Sequence, residues 1–138
     1  MSAIKELLRA EADGSISFGD YELAQKTKLS DFEFDGDVYK VKTFKEITRL
    51  EKNDSLLYES IPGTAVRNLL VTMDDISFSV EGPEDADLTL GLMEDTPYEI
   101  IVNGESAGVI TTNLGGKLSF GVELQEGQPV EVVVRLEE

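Results

Sequence analysis

The sequence predicts an all-β protein of two small packed lobes: an N-terminal short helix with β-hairpins over residues 1–72, and an antiparallel β-sandwich over residues 73–138. Three observations carry this expectation. Beyond Gly14 apolar and polar residues alternate over most of the chain, the period of half-buried strands. Asp-Gly, Asn-Asp and Asn-Gly dipeptides, which tolerate the positive φ of tight hairpin turns, fall between the alternating runs. After residue 75, six runs succeed one another at spacings of about ten residues, the signature of a small sandwich.

Taken in order, Ser2 is placed to cap a short helix with Ile4, Leu7 and Leu8 on one face. At about ten residues such a helix is marginal alone and needs a surface, on its own domain or on a neighbouring subunit. After Asp13-Gly14 the period becomes two, with Ile16 and Phe18, then Tyr21 and Leu23. Phe32 and Phe34 follow, joined to Tyr39 and Val41 through Asp35-Gly36. Asn53-Asp54 separates residues 47–50 from 56–58. The stretch 43–50 reads two ways. Thr43 with Glu46 matches a capping box and Phe44, Ile47 and Leu50 recur every three residues, but the β-branched content and the turn that follows favour a strand. Pro62-Gly63 suits a type II turn. The last six runs centre on Phe78, Leu90, Ile100, Ile110, Phe120 and Val132, with Asn103-Gly104 and Glu126-Gly127 among their turns. With the join near residues 70–75, neither lobe buries enough apolar surface to be comfortable alone, so the lobes are expected to pack on each other or on a second copy.

The inventory excludes much chemistry. The chain has no histidine, cysteine or tryptophan, which removes Ser-His-Asp and Cys-His triads, thiol redox chemistry and Cys/His zinc sites. Its 12 basic and 28 acidic residues give a net charge of −16, spread unevenly. Residues 1–69 carry 10 basic and 13 acidic side chains, net −3; residues 70–138 carry 2 and 15, net −13. Such a field repels phosphate backbones and anionic membranes, so neither nucleic acid nor membrane is an expected partner. Lys5, Glu6 and Arg9 interrupt the N-terminus before any apolar run reaches signal-peptide length, which predicts a cytoplasmic protein.

Four features remain as candidate sites. Lys40, Lys42, Lys45, Arg49 and Lys52 place five cations within thirteen positions, a patch that can face the acidic half of the same molecule or of a second copy, unless Glu46 and Glu51 cancel it. Glu84, Asp85 and Asp87, with Asp74-Asp75 and Glu94-Asp95 in flanking loops, are the candidate calcium ligands; the alternative is a solvated acidic surface, since no EF-hand spacing is present. Paired carboxylates are the minimum of a glycoside hydrolase, but an acidic chain always offers some pair, and the four arginines, Arg9, Arg49, Arg67 and Arg135, are scattered. A glycan-binding surface would need exposed rings from Tyr21, Tyr39, Tyr58 or Tyr98, whose alternation suits a core instead.

Several stretches carry a resemblance: Gly19-Asp-Tyr-Glu-Leu23, Asp35-Gly-Asp-Val-Tyr-Lys-Val-Lys-Thr-Phe44, Tyr58-Glu-Ser-Ile-Pro-Gly-Thr-Ala-Val66, Val80-Glu-Gly-Pro-Glu-Asp-Ala86 and Thr112-Asn-Leu-Gly-Gly-Lys-Leu-Ser-Phe120. Together they resemble a family of small acidic bacterial proteins, typical of anaerobic Firmicutes, that is often labelled endosialidase or endosialidase beta chain. The resemblance implies one evolutionary unit across both lobes and, by its label, a glycan hydrolase. No residue can be carried over as catalytic, because the Ser-x-Asp-x-Gly-x-x-Trp boxes of sialidases are missing. The C-terminal half is similar to Ig-like accessory modules of bacterial surface and sugar-active proteins, a likeness of fold that transfers no function. The expected function is therefore a non-catalytic, self-associating structural or interaction protein without a cofactor, with glycan hydrolysis or glycan binding as the alternatives.

Overall fold

A computed structural model describes residues 3–137, and among them the period-two alternation produces thirteen strands and no helix. Seven strands form one antiparallel sheet in the order β1 (Leu8–Ala10), β2 (Ile16–Phe18), β7 (Ala65–Val71), β8 (Asp75–Glu81), β13 (Val130–Leu136), β10 (Pro97–Val102) and β11 (Glu105–Thr111). The other six form a second sheet in the order β12 (Lys117–Val122), β9 (Ala86–Gly91), β6 (Ser55–Ile61), β5 (Ile47–Lys52), β4 (Asp37–Phe44) and β3 (Thr27–Phe34). The two sheets pack face to face as a β-sandwich. Segments 1–72 and 73–138 each supply strands to both sheets, through the β7–β8 and β6–β9 pairings. The expected join near residues 70–75 is the β7–β8 turn.

One continuous apolar cluster fills the space between the sheets. Val41 and Leu50 enter it from the six-stranded sheet and Ile76, Val132 and Val134 from the other, all fully buried. At its centre Tyr58 stands edge-on to Phe18 and Phe78 of the opposite sheet, with ring centroids 5.2 and 5.6 Å apart. This edge-to-face geometry sets each ring's positive rim against a neighbour's negative face.

The hairpin signals hold in detail. Asp35 and Gly36, Asn53 and Asp54, and Asn103 and Gly104 all have positive φ, as two-residue turns of the I′ kind demand. The ambiguous stretch 43–50 is two strands joined at Lys45-Glu46.

Two expectations need correction. The N-terminal helix does not form. Ser2, its expected cap, lies outside the described residues; from Ala3 the chain makes a turn, Leu7 takes φ 71°, and β1 follows. The physical reason is nucleation: a helix this short spends backbone order on few hydrogen bonds, whereas pairing beside β2 satisfies the backbone at once. Ile4 N–H donates to the Gly19 carbonyl at 2.9 Å and Gly19 N–H to the Leu7 carbonyl at 3.0 Å. Ile4 and Leu8 still bury, through the turn and strand. Nor is Pro62-Gly63 a type II turn, because Gly63 lacks the positive φ that the second central position requires. Gly63 is needed for space: a Cβ there would lie 2.1 Å from the Phe44 carbonyl oxygen.

Candidate functional site

Pleating sends alternate residues of β4 and β5 to opposite faces. Tyr39, Val41 and Thr43 point inward with Thr48 and Leu50; Lys40, Lys42 and Phe44 point outward with Ile47, Arg49 and Glu51. Register then builds two rows across the outer face of the six-stranded sheet. In one, Lys28, Lys42, Arg49, Glu59, Thr89 and Ser119 are successive cross-strand partners. In the other, Phe44 pairs with Ile47, and Ile61 pairs with Asp87 one strand further on.

The five cations of the sequence patch divide into two sets. Arg49 is held by Glu59 at 2.6 Å and Glu51 at 3.1 Å, Lys40 reaches Glu51 at 3.4 Å, and Lys52 reaches Asp37 at 3.6 Å. The Arg49 guanidinium, reinforced by Lys40, keeps the Glu51 carboxyl below its ordinary 4.5 against the opposing effect of partial burial. Lys42 and Lys45 are left over. Among the described residues no carboxylate comes within ion-pair distance of either, nor of Lys26 and Lys28, which join them from β3 and the segment before it. Lys28 sits directly opposite Lys42, a like-charge cross-strand pair that weakens the sheet.

Phe44, Ile47, Ile61 and Pro62 floor an open depression of roughly 730 Å³ beside these lysines. Lys26, Lys42 and Lys45 line it as well, and Glu46 and Glu84 complete the lining. The Lys26 ammonium lies 6.0 Å from the Phe44 ring centroid, the outer limit of a cation–π contact. Ile61 is 54 % exposed although its neighbours Tyr58 and Ser60 are fully buried.

The sequence patch thus spreads over β4, β5 and their turn, and Lys26 and Lys28 lie beside Lys42 and Lys45. Lys28 escaped the sequence patch for a definite reason. Counted back from Asp35-Gly36, uninterrupted pairing sets Lys28 opposite Thr43, on the inner face; a bulge between Leu29 and Phe32, with Asp31 at φ 59°, shifts the register by one and turns Lys28 outward.

The other candidate residues do not converge. Asp85 Oδ1 accepts the Leu124 N–H at 3.0 Å, Glu84 lines the depression, and Asp87 stands on the β9 face opposite Gly121. Asp74-Asp75 and Glu94-Asp95 lie at the far end of the sandwich, because β8 runs from Asp74-Asp75 to the loop that holds Glu84 and Asp85, and β9 runs back from that loop to Glu94-Asp95. Among the described residues no three carboxylates gather closely enough to hold a metal ion. Arg49 is on one sheet; Arg9, Arg67 and Arg135 are on the other, each with a carboxylate of its own. All four tyrosines are buried, so none presents a ring face to a sugar.

One polar cluster was not read from the sequence. Ser17, fully buried, donates its hydroxyl to Glu11 at 2.5 Å and accepts the Asn68 N–H at 3.1 Å, while Arg9 Nε donates to the same Glu11 oxygen at 3.0 Å. These contacts, Ser17 first, lower the Glu11 pKa. A carboxylate made less basic is poorly suited to deprotonate a serine, and no solvent reaches the hydroxyl, so the cluster clamps β2 to β7 rather than activating a nucleophile.

No helix among the described residues is long and apolar enough to cross a membrane. Comparison with models of protein families, with curated proteins and with solved structures finds no match.

Proposed function

We propose that this chain is a non-catalytic interaction protein that self-associates, offering the cationic outer face of its six-stranded sheet to the acidic surface of another copy. The carrying observation is the Lys28–Lys42 pair with Lys26 and Lys45 beside it. In a chain with 28 carboxylates, four neighbouring lysines that find no ion-pair partner among the described residues are a retained electrostatic cost, and a carboxylate-bearing partner relieves it. The scattered arginines and the buried tyrosines support interaction over glycan chemistry.

Light scattering against salt tests this reading. Two bodies of charge −16 repel at long range, whereas contact pairs act over a few ångströms. At about 0.15 M salt the screening length is about 8 Å, which removes most of the long-range repulsion and spares the contacts; at about 1 M it is about 3 Å and the contacts weaken too. Association is therefore expected to be strongest at intermediate salt and to decline on either side. A monomer of 15.2 kDa at every salt, at millimolar protein, overturns the proposal.

A further inference from the structure

The self-association reading leaves open which surface of the second copy meets the lysine-rimmed depression, and the remaining exposed apolar side chains narrow that choice. A depression so shallow and open encloses too little of a small molecule for tight binding, since ligand pockets bury most of their ligand. Its apolar floor and cationic rim suit a protruding segment with an apolar tip and acidic flanks. The chain carries one. Met73, at the tip of the β7–β8 hairpin, is 93 % exposed, the most exposed of the large apolar side chains among the described residues, and Asp74 and Asp75 follow it. The tip is shaped from within: the Thr72 hydroxyl donates to Asp75 at 2.8 Å and accepts the backbone N–H groups of Asp74 and Asp75. The rival segments fit less well. Leu114 has no acidic neighbour in sequence, and Met93 is half covered, its N–H donating to the Tyr98 hydroxyl and its carbonyl accepting the Thr112 hydroxyl.

We infer that the Met73 hairpin tip of one copy docks in the Phe44–Ile47–Ile61 depression of the next, with Asp74 against Lys42 and Lys45. Methionine, unbranched and flexible, fits an uneven apolar floor. Glu46 and Glu84 share the lining and repel incoming carboxylates, which leaves the lysines as their partners. Strand direction makes the contact head-to-tail. β4 and β6 end at the depression, whereas β7, which starts beside Pro62, ends at the tip; the two surfaces occupy opposite ends of the sandwich and cannot meet within one molecule. A contact between unlike surfaces propagates into rings or filaments rather than closing as a two-fold dimer. A standard interface of roughly 800 Å² per partner is about a ninth of this molecule's 7274 Å² surface, so each copy has room for one at each end.

The inference rests on the self-association reading, and one set of variants separates the two. A tip variant (Met73→Ser with Asp74→Lys) and a depression variant (Lys42→Glu with Lys45→Glu) alter solvent-facing side chains and keep the wild-type circular dichroism. Each alone is expected to lose self-association by about tenfold or more, because like charges now oppose each other. Mixed, they are expected to associate again, since the intact depression of the first meets the intact tip of the second and the reversed charges on the other two surfaces attract each other. If wild type assembles and either variant assembles equally well alone, or if the mixture stays monomeric, the docking is refuted while self-association stands. If wild type itself never assembles at any salt, both fall.

Discussion

Replacing Thr48 by valine tests whether a buried hydroxyl network holds the floor of the depression in place. The Thr48 hydroxyl donates to the Thr64 carbonyl at 2.8 Å, accepts the Thr64 N–H at 3.1 Å, and lies 2.8 Å from the Thr43 hydroxyl. Its single proton is committed to the carbonyl, so Thr43 must be the donor in the last contact. Thr43 in turn accepts the Asp20 N–H at 2.9 Å, and Thr64 continues the network to Tyr58 and Ser60 at 2.7 Å each. Burial pushes the Tyr58 pKa far upward, so its hydroxyl stays protonated. Thr43, Thr48 and Thr64 have no solvent exposure, and no buried side-chain nitrogen or oxygen among the described residues lacks a partner. Valine has threonine's shape without the hydroxyl and strands at once the Thr64 N–H, the Thr64 carbonyl and the Thr43 hydroxyl. Each unsatisfied buried group costs about 1–3 kcal/mol, and because Thr43 can rotate towards another acceptor the three together should cost about 3–5 kcal/mol. That is a large share of a typical stability of roughly 5–15 kcal/mol. Urea unfolding followed by circular dichroism measures it, with a matching fall in Tm of about 10–20 °C. Thr89→Val is the control, since its hydroxyl meets Ser119 at 2.9 Å on the exposed outer face, and it should move stability by less than about 0.5 kcal/mol. A Thr48→Val loss below about 1 kcal/mol would refute the network as a structural device.

Gly63→Ala brings a methyl group 2.1 Å from the Phe44 carbonyl oxygen, so the β4–β5 turn must move; a loss of about 2–3 kcal/mol is expected in the same unfolding assay, and a neutral result contradicts the packing. Glu51→Gln should cost about 0.5 kcal/mol or less near neutral pH, because water screens much of the Arg49 pair. The native Glu51 pKa lies below 4.5, so this contribution is present above that pH and drains as pH falls through the native value; the gap between the two proteins should close in acid, and a gap that widens there has the wrong sign. Asp85→Asn keeps an acceptor for the Leu124 N–H and should be near neutral, whereas Asp85→Ala should cost about 1 kcal/mol, with neither effect depending on added calcium; a calcium-dependent Tm in wild type that Asp85→Asn abolishes would restore the metal reading. Incubation of the purified protein with polysialic acid is expected to leave chain length unchanged, and release of oligomers in proportion to protein would establish the hydrolase that the resemblance implies.

Much of the fold was legible because it rests on local rules. Alternation across residues 37–44 and 97–102 assigns which side chains face the core, and Asp35-Gly36, Asn53-Asp54 and Asn103-Gly104 take the turn conformation their chemistry favours. What failed was decided by neighbours distant in sequence. Ile4, Leu7 and Leu8 have helical spacing, but a backbone partner 15 residues along at Gly19 competes successfully with a helix that cannot nucleate. Pro62-Gly63 carries the residues of a type II turn, yet Gly63 is constrained by the Phe44 carbonyl against it.

The site divides in the same way. The sequence by itself determined the charge asymmetry, the absent histidine and cysteine chemistry, and the basic run that includes Lys42 and Lys45, since these depend only on which residues are present and in what order. Only the tertiary structure decided which cations lack a partner, because that depends on the pairing of β5 with β6 that brings Glu59 to Arg49 and brings no carboxylate to Lys42. It likewise decided that Lys28 joins them, through a single bulged residue whose effect on facing is invisible to any count along the chain. The apolar floor is a third such product: Phe44, Ile47 and Ile61 lie on three strands and become one surface only when those strands are set side by side in register.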